Sequence, residues 1–208
     1  MADRRHGATP PPTERDVRGE DWYGEDISGQ EHVRTAFSRV DLTEVTDEGA
    51  VFDECTFFDC TFNVSRHTEA AFLNCTFTGC SFFDAEFDRC KLVGSRFDRC
   101  SFGLLTVTGG DWSFVGLPGA DLSKARFRGV RLREADLTGA RCTGAVLRDV
   151  DLSGAFLHQA DLSGADLRGS DITTLDPLTV PLRGATIDMA QAVVLATALG
   201  LRVGEEGS

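Results

Sequence analysis

Apolar residues recur at every fifth position along almost the whole chain. Steps of five from Ile27 to Ile187 give 33 positions, and 29 of them are apolar. The exceptions are His32, Asp47, His67 and Pro177. A second track, two residues before the first, carries small side chains, and glycine is frequent two residues after each large side chain. The chain is therefore built from one five-residue unit repeated in a single phase.

A period of five fits neither an α-helix nor a flat strand. On a helix the apolar stripe would drift by about 140° per repeat, and on a strand an odd period would turn alternate large residues outward. Both tracks can point inward if each unit is a short extended segment followed by a corner of about 90°. Four corners close a coil of twenty residues, and coils stack at ~4.8 Å as parallel ladders. The pattern predicts an all-β solenoid, a parallel β-helix.

Three regions differ in their patterns. Residues 1–21 are polar and contain the run Pro10, Pro11, Pro12, so we expect a disordered extension there. Residues 22–187 form the predicted β-helix, and residues 188–208 a closing α-helix with a tail. No segment approaches the ~18 apolar residues of a membrane span, and the chain start lacks the apolar stretch of a signal peptide. We therefore expect a cytoplasmic protein.

The closing helix begins at a capping-box pair, Asp188 and Gln191, and Gly200 suits its end. The residues between leave almost no polar face. One side of such a helix can cover the open end of the coil, and the other needs a partner, which a second copy about a two-fold axis would supply. The alternative is a helix that only caps its own coil. The expected dimer interface comprises Met189, Val193, Val194, Leu195, Leu199 and Leu201.

The formal net charge of −12 argues against direct binding of nucleic acid, which requires a basic surface. With twenty residues per coil, outward residues align in columns, and acidic side chains cluster on several faces. One face begins acidic and then turns basic at Arg126, Arg128, Arg148 and Arg168. The acidic residues that we expect to bind a partner are Asp41, Glu44, Asp84, Glu86, Asp88, Asp111, Asp121, Asp151 and Asp161.

The polar residues on the inward tracks do not predict catalysis. Six of the seven cysteines follow the small track and Cys142 the large one, with no C-x-x-C zinc motif. Cys55 and Cys75 lie one coil apart, near enough for a disulfide by distance, but buried reduced thiols fit a cytoplasmic protein better. We interpret Asp47 and His67 as a local coil irregularity or a satisfied polar group. The sequence predicts no enzyme, no metal and no cofactor.

The repeats resemble a known family. The stretch "ADLSGADLRG" (160–169) follows the consensus A-[D/N]-L-x-x of the pentapeptide-repeat family, whose fold is a right-handed quadrilateral β-helix. The closing pattern I-D-x-x-Q-A-V-x-x-A-x-x-x-G-L resembles the fluoroquinolone-resistance proteins of that family. The unbroken phase favours their mycobacterial type over the Qnr type, which often carries loops.

The resemblance to the resistance proteins implies a homodimer formed through the closing helix. It also implies binding to DNA gyrase, a type II topoisomerase, by mimicry of duplex DNA, and resistance to gyrase poisons such as fluoroquinolones. About eight coils give a rod of ~38 Å, and a head-to-head dimer spans ~80 Å, the length of about 23 base pairs. The alternative is a repeat scaffold or adaptor for another protein partner, because this fold alone does not define a function.

Overall fold

The computed structural model describes residues 12–204, which fold into a parallel β-solenoid closed by one described α-helix. The strands are three or four residues long, because each ends at a corner. Their bounds are β1 (Arg15–Arg18), β2 (Glu31–Val33), β3 (Thr35–Ser38), β4 (Thr46–Glu48), β5 (Val51–Asp53), β6 (Thr56–Phe58), β7 (Arg66–Thr68), β8 (Ala71–Leu73), β9 (Thr76–Thr78), β10 (Glu86–Asp88), β11 (Arg96–Asp98), β12 (Thr106–Thr108), β13 (Arg126–Arg128) and β14 (Val146–Arg148), and the helix is α1 (Met189–Ala198).

Every strand pairs in parallel with the strand twenty residues away, which confirms the predicted coil. The five-stranded face has the order β1-β3-β6-β9-β11, the six-stranded face β14-β13-β12-β10-β7-β4, and the three-stranded face β2-β5-β8. On the fourth side, the bridge face, only isolated parallel bridges join the coils, from Asp21 to Ser101 and again from Asp121 to Asp161. The repeat thus builds a rod with four sides.

Both inward tracks are buried as the pattern predicts, and aromatic stacking fills the amino-terminal half of the core. Phe37, Phe57, Phe77 and Phe97 stack along the five-stranded face with ring centroids 4.6–4.8 Å apart. Edge-to-face contacts join this stack to phenylalanines on neighbouring faces. A separation of one coil places successive rings at stacking distance, so the strand spacing and the aromatic spacing reinforce each other.

The corners require a left-handed backbone at the residue two positions after the inward large residue. Glycine occupies many of these positions, but sixteen described residues other than glycine also have positive φ, among them Glu44 at 58° and Asp84 at 55°. Such residues cost free energy relative to glycine and persist because the stacked coils on either side fix the backbone.

One corner departs from the repeat. Gly110 occupies the small inward track yet has a φ of +85°, and an added Cβ would lie 2.1 Å from the carbonyl oxygen of Cys90. Trp112 follows two residues later and is 1% exposed. The missing side chain at Gly110 and the bulky indole thus occur in the same corner of the core.

The predicted boundary at residue 22 is wrong, because the coil begins earlier. Strand β1 pairs with β3 in register, with Arg15 opposite Thr35 and Val17 opposite Phe37. Val17 and Trp22 pack against the core. The sequence pattern missed this coil because its outward residues are strongly polar. The rest of the predicted extension, residues 1–11, lies outside the described residues.

The carboxyl-terminal end is closed by α1. Asp188 and Gln191 form the predicted capping box, with the Asp188 side chain accepting from the Gln191 amide at 3.0 Å. Gly200 follows the helix end with a φ of +79°. The side chain of Gln191, 5% exposed, donates to the carbonyl oxygens of Leu167 (2.6 Å) and Ser170 (2.7 Å). The helix therefore satisfies backbone groups that the last coil would otherwise leave open.

Candidate partner-binding surface

The nine predicted acidic residues lie on three faces of the rod and not on one continuous surface. The bridge face carries Asp41, Glu44, Asp84, Asp121 and Asp161, the six-stranded face Glu86 and Asp88, and the three-stranded face Asp111 and Asp151. Asp41 and Glu44 lie near the amino-terminal end of the bridge face, whereas Asp121 and Asp161 lie four and six coils away. A partner that contacts all nine residues must therefore wrap around the rod.

Five of these acids have a second function that the sequence analysis missed. The aspartate that precedes the inward leucine accepts a hydrogen bond from the backbone amide two residues later, which forms an Asx turn at the corner. These five are Asp41, Asp111, Asp121, Asp151 and Asp161, at 2.9–3.1 Å. The sequence signal was available, because aspartate two residues before a turn position is the usual pattern for such a bond.

Hydrogen bonds lower the pKa of four of these carboxylates, Asp41, Asp111, Asp121 and Asp161. The Ser163 hydroxyl and amide lower the pKa of Asp161, and the Thr43 side chain chiefly lowers the pKa of Asp41. Partial burial raises the pKa of Asp111, but hydrogen bonds from Ser113 and Arg131 outweigh it, so that pKa is below its ordinary value. The hydrogen bonds at the corners therefore favour the charged form of these carboxylates.

Arginines one coil away neutralise part of this charge. Arg141 lies between Asp121 and Asp161 in the bridge column and donates to Asp121 at 2.5 Å, which holds the pKa of Asp121 well below its usual range. Arg131 donates to Asp111 at 2.8 Å. The negative field around these residues is weaker than the sequence alone suggests, because the stacking of coils brings the opposite charges together.

The remaining acidic residues are not Asx-turn acceptors. Glu44 accepts from the hydroxyl of Tyr23 at 2.8 Å. Glu86 lies 3.5 Å from Arg66, and Asp88 lies 2.5 Å from Arg89, both in exposed ion pairs. Asp84 is exposed at a corner with positive φ. Exposed pairs of this kind contribute little to stability and can be exchanged for contacts with a partner.

Four of the six predicted dimer residues are exposed at the carboxyl-terminal end. Met189 is 84% exposed, Leu201 60%, Leu199 49% and Val193 44%. Val194 and Leu195 are instead partly buried against the core of their own coil. The helix therefore has one apolar side on the coil and a second apolar side facing outward.

Three buried polar residues, Asp47, His67 and Ser65, are linked in the core. His67 Nδ1 contacts Asp47 Oδ2 one coil away, His67 Nε2 lies 3.0 Å from Ser65 Oγ, and the serine hydroxyl donates to the Phe62 carbonyl. All three polar residues are at most 4% exposed. The order acid–imidazole–hydroxyl resembles a hydrolase triad, but this serine hydroxyl is enclosed where no substrate reaches it. Asp47 and His67 thus form a buried polar pair within a regular coil, in which Asp47 Oδ2 contacts the imidazole and Asp47 Oδ1 has no hydrogen-bond partner.

The cysteines of the described residues are free thiols, six on the small track and Cys142 on the large one. All of them are buried except Cys100, which is half-buried. Burial raises the pKa of Cys90 and of Cys142 to about 12. Among residues 12–204, no group of three His, Cys, Asp or Glu side chains is placed to hold a metal ion. Within that range, no helix has the length and apolar character needed to cross a bilayer.

The fold and these surfaces define a parallel β-solenoid whose outer faces and open helix are suited to protein contacts. The family model for the pentapeptide repeat region matches residues 80–157, and the same register continues on both sides of the match. The fold is thus a parallel β-solenoid consistent with a pentapeptide-repeat β-helix. The comparison with curated proteins gives no match.

The chain is similar to several solved structures. A trypsin-treated variant of QnrB1, described as a plasmid-mediated fluoroquinolone resistance protein, is 22% identical over 93% of this chain and 99% of that chain, with a TM-score of 0.51. HetL, a pentapeptide repeat protein involved in heterocyst differentiation regulation from the cyanobacterium Nostoc sp. strain PCC 7120, is 21% identical over 84% of this chain and 86% of that chain, with a TM-score of 0.36. At this identity, the likeness to QnrB1 establishes the fold.

Proposed function

We propose that the protein is a non-enzymatic DNA mimic that binds a type II topoisomerase, DNA gyrase. It would compete with DNA and reduce the effect of gyrase poisons such as fluoroquinolones. The observation that carries the proposal is the unbroken rod whose carboxylates are held ionised at fixed spacing by its corners. The likeness to QnrB1, a fluoroquinolone resistance protein, supports the same function.

The dimensions of the rod fit this function. Parallel pairing runs without interruption from Asp26 to Thr186 on the six-stranded face, in eight steps of twenty residues. At ~4.8 Å per step the face is ~38 Å long, and two copies joined end to end reach ~80 Å. That is the length of about 23 base pairs, so a dimer would fill an extended DNA-binding channel.

The proposed dimer would form through the exposed side of α1. Met189, Val193, Leu199 and Leu201 present apolar side chains at the end of the rod, where a two-fold axis would bring the same surface of a second copy against them. A glutamate in the centre of this surface would have to be buried opposite its own copy. We therefore expect Val193→Glu to give monomers in sedimentation, whereas Gln159→Glu, an exposed change of equal charge on the coil, should leave the dimer intact.

A supercoiling assay with purified gyrase tests the proposed function. The wild-type protein should inhibit supercoiling and reduce drug-stabilised cleavage at micromolar concentrations. A variant with Glu44→Gln and Asp84→Asn, which removes charge without removing an Asx turn, should inhibit less strongly. The control Asp98→Asn removes one exposed carboxylate from the five-stranded face. No inhibition and no relief of cleavage by well-folded wild-type protein at tens of micromolar would overturn the proposal.

A scaffold or adaptor for another protein is the second candidate. The observation that favours it is the division of the acidic residues among three faces, together with arginines that neutralise several of them. A scaffold needs distinct local surfaces, whereas a DNA mimic needs a continuous negative field. Affinity capture with the folded protein separates the two candidates: recovery of gyrase subunits supports mimicry, and recovery of a different partner without them supports a scaffold.

A further inference from the structure

Charge is segregated along the six-stranded face. Strand β12 at its centre carries the neutral side chains Thr106 and Thr108. The amino-terminal half holds five carboxylates and two arginines: Asp26, Glu48, Glu69, Glu86 and Asp88, with Arg66 and Arg89. Between β12 and α1, the other half holds four arginines and three carboxylates: Arg126, Arg128, Arg148 and Arg168, with Asp149, Asp166 and Asp188.

The basic half contains a ladder of like charges. Arg128 lies directly beside Arg148 in register, and the adjoining bridge between Val146 and Asp166 places Arg168 next in the same column. Like charges directly opposite each other across strands are destabilising. Asp166 contacts Arg168 at 2.7 Å and approaches Arg148 at 4.0 Å.

Two arginines of the basic half are left without a carboxylate. Arg126 and Arg128 are exposed and make no ion pair within residues 12–204. In a protein with a net charge of −12, an uncompensated cationic surface is the feature that needs an anionic partner.

The two halves are complementary under a two-fold axis that runs along β12. This axis is parallel to the strands and lies between the two facing copies. The long axes of the two rods therefore run in opposite directions, whereas the strands of both copies point the same way. The axis places Glu86 opposite Arg126 of a second copy and Asp88 opposite Arg128. Two coils away from the Asp88–Arg128 pair, Glu48 faces Arg168 of the second copy. Each pair occurs twice by symmetry, which gives six intermolecular ion pairs.

The remaining facing positions on the strands contain no pair of like charges. Arg66 faces Val146, and Thr68 faces Arg148. At the centre, the threonines of β12 face their own copies. Of the corner positions, Glu69 and Asp149 face each other, but Glu69 is bound to Arg89 at 3.0 Å within its own chain. The alignment follows from the register of the coil, because every position is fixed in steps of twenty residues.

We propose that the six-stranded face is a self-association surface on which a second copy of the chain lies antiparallel. The partner is identified by charge: each half of the face finds its complement, in register, in the other half of the same face. The five-stranded and three-stranded faces mix acids and bases along their length, and the bridge face is acidic in one half and mixed in the other, so none of the three divides into an acidic and a basic half among the described residues. This lateral contact is distinct from the end-to-end contact proposed for α1.

The contact is expected to be weak and sensitive to salt. Three outward residues per coil over ~38 Å give an area of about 400 Å² per copy, about half of what a standard stable interface buries. The exposed pairs of Glu86 with Arg66 and of Asp88 with Arg89 must also exchange partners. We expect a dissociation constant on the order of 100 µM at low salt, weakened at least tenfold at high salt.

Charge-swapped variants test the contact in a Val193→Glu background, which removes the helix contact. Sedimentation equilibrium at about 20 mM and 500 mM salt should show a monomer–dimer equilibrium only at low salt. Arg128→Glu alone and Asp88→Arg alone should each abolish it. The two single variants mixed in equal amounts should associate, and the double variant Asp88→Arg/Arg128→Glu should regain self-association, because both restore opposite charges across the axis.

Controls separate this result from misfolding and from the proposed function. The swap Asp98→Arg/Arg99→Glu on the five-stranded face should leave association unchanged, and circular dichroism should show the same fold in every variant. If Val193→Glu protein stays monomeric at 200 µM and low salt (about twice the expected dissociation constant), or if the charge swap does not restore association, the lateral contact is refuted. Should the Val193→Glu chain remain dimeric at high salt, the helix contact lies elsewhere, whereas the charge-swap test still decides the lateral contact.

Discussion

The aspartate of the repeat is the residue whose role the structure changes most. In the sequence it is an outward acid and a candidate for partner binding. In the structure, Asp41, Asp121 and Asp161 each use one carboxylate oxygen to accept the amide two residues ahead, so they also fix the corner. Replacing them would alter both surface charge and backbone, and residues such as Asp84 and Glu44 are therefore better probes of binding.

The sharpest prediction for a single residue concerns the stability effect of replacing Gly110. Gly110→Ala adds a Cβ within 2.1 Å of the Cys90 carbonyl oxygen at a φ of +85°, so the coil must shift. Gly119→Ala imposes the same strain of positive φ (+66°) but has open space around the new methyl group. We expect a loss of about 1 kcal/mol in the free energy of unfolding for Gly119→Ala and at least about 3 kcal/mol for Gly110→Ala.

Urea denaturation of the two glycine variants measures the difference. Equal losses would show that the close approach to Cys90 relaxes without cost. Gly129→Ala, with a φ of +64° and no atom within 4 Å of the added Cβ, is a second control on the same side of the rod.

The Asp47–His67 pair gives a second prediction for single residues. His67→Phe would extend the stack on Phe87, now 4.7 Å from the imidazole, but would leave the Asp47 carboxylate buried without its partner. We expect this variant to lose about 3–5 kcal/mol of stability, whereas Asp47→Leu/His67→Phe should be neutral or more stable by about 1–4 kcal/mol. Urea midpoints at pH 7 decide this, and a double variant as unstable as the single one would contradict it.

Among the elements, α1 has the clearest division of function. It covers the last coil through Val194 and Leu195 and presents Met189 and Val193 outward. Its own sequence forms the capping box, but its attachment depends on Gln191, whose amide reaches two carbonyl groups of the coil. The same residue thus starts the helix and fixes it to the rod.

Loss of the Gln191 side-chain contacts should loosen the cap. Gln191→Leu removes the side-chain donor to both carbonyl groups; the Leu167 carbonyl keeps a bond from the Ser170 amide, whereas the Ser170 carbonyl loses its partner, and we expect a loss of about 2 kcal/mol. Gln159→Leu, at an exposed corner, should change stability by less than about 0.5 kcal/mol. Leu104 shows that leucine is accommodated at this type of corner, with a φ of 63°.

Hydrogen exchange of residues 189–198 gives a direct readout of the cap. Faster exchange that is confined to α1 and the last coil is expected for Gln191→Leu, because repeat proteins can open locally from an end. Unchanged protection of the helix would show that apolar packing alone holds it.

For the whole molecule, the stacked carboxylates link stability to pH. Hydrogen bonds from Arg168 lower the pKa of Asp166 to about 2, and the same direction applies to Asp121, Asp161 and Asp171. A carboxyl group whose folded pKa is depressed contributes stability above its unfolded pKa, near 3.9, and loses it as pH falls toward the folded value. These carboxylates are largely exposed, so each contribution is reduced by solvent screening.

Stability should therefore be constant above about pH 5 and fall steadily between about pH 4 and pH 2. Urea midpoints measured across this range should show the decline, and Asp166→Asn should make it shallower while lowering stability at neutral pH, because Arg168 and Arg148 then lose their carboxylate. An identical acid-side slope in Asp166→Asn would show that Asp166 does not contribute.

The sequence by itself determined the coil. A five-residue period with two inward positions permits only one closed shape, so the length of each turn, the parallel register and the buried tracks all followed from the spacing of residues such as Phe57 and Leu162. The capping box at Asp188 and Gln191 was equally local. The first coil escaped prediction because the polar residues around Val17 hide a pattern that only pairing with β3 makes evident.

Only the tertiary structure decided which residues meet twenty positions apart. It paired Asp47 with His67 and Asp121 with Arg141, and it arranged the acidic and basic halves of the six-stranded face in columns. Composition does not contain this information, because a charge acquires its neighbours only when the coil closes and stacks. The pattern fixed the scaffold, whereas the distribution of charge over its surface followed from the distance between coils.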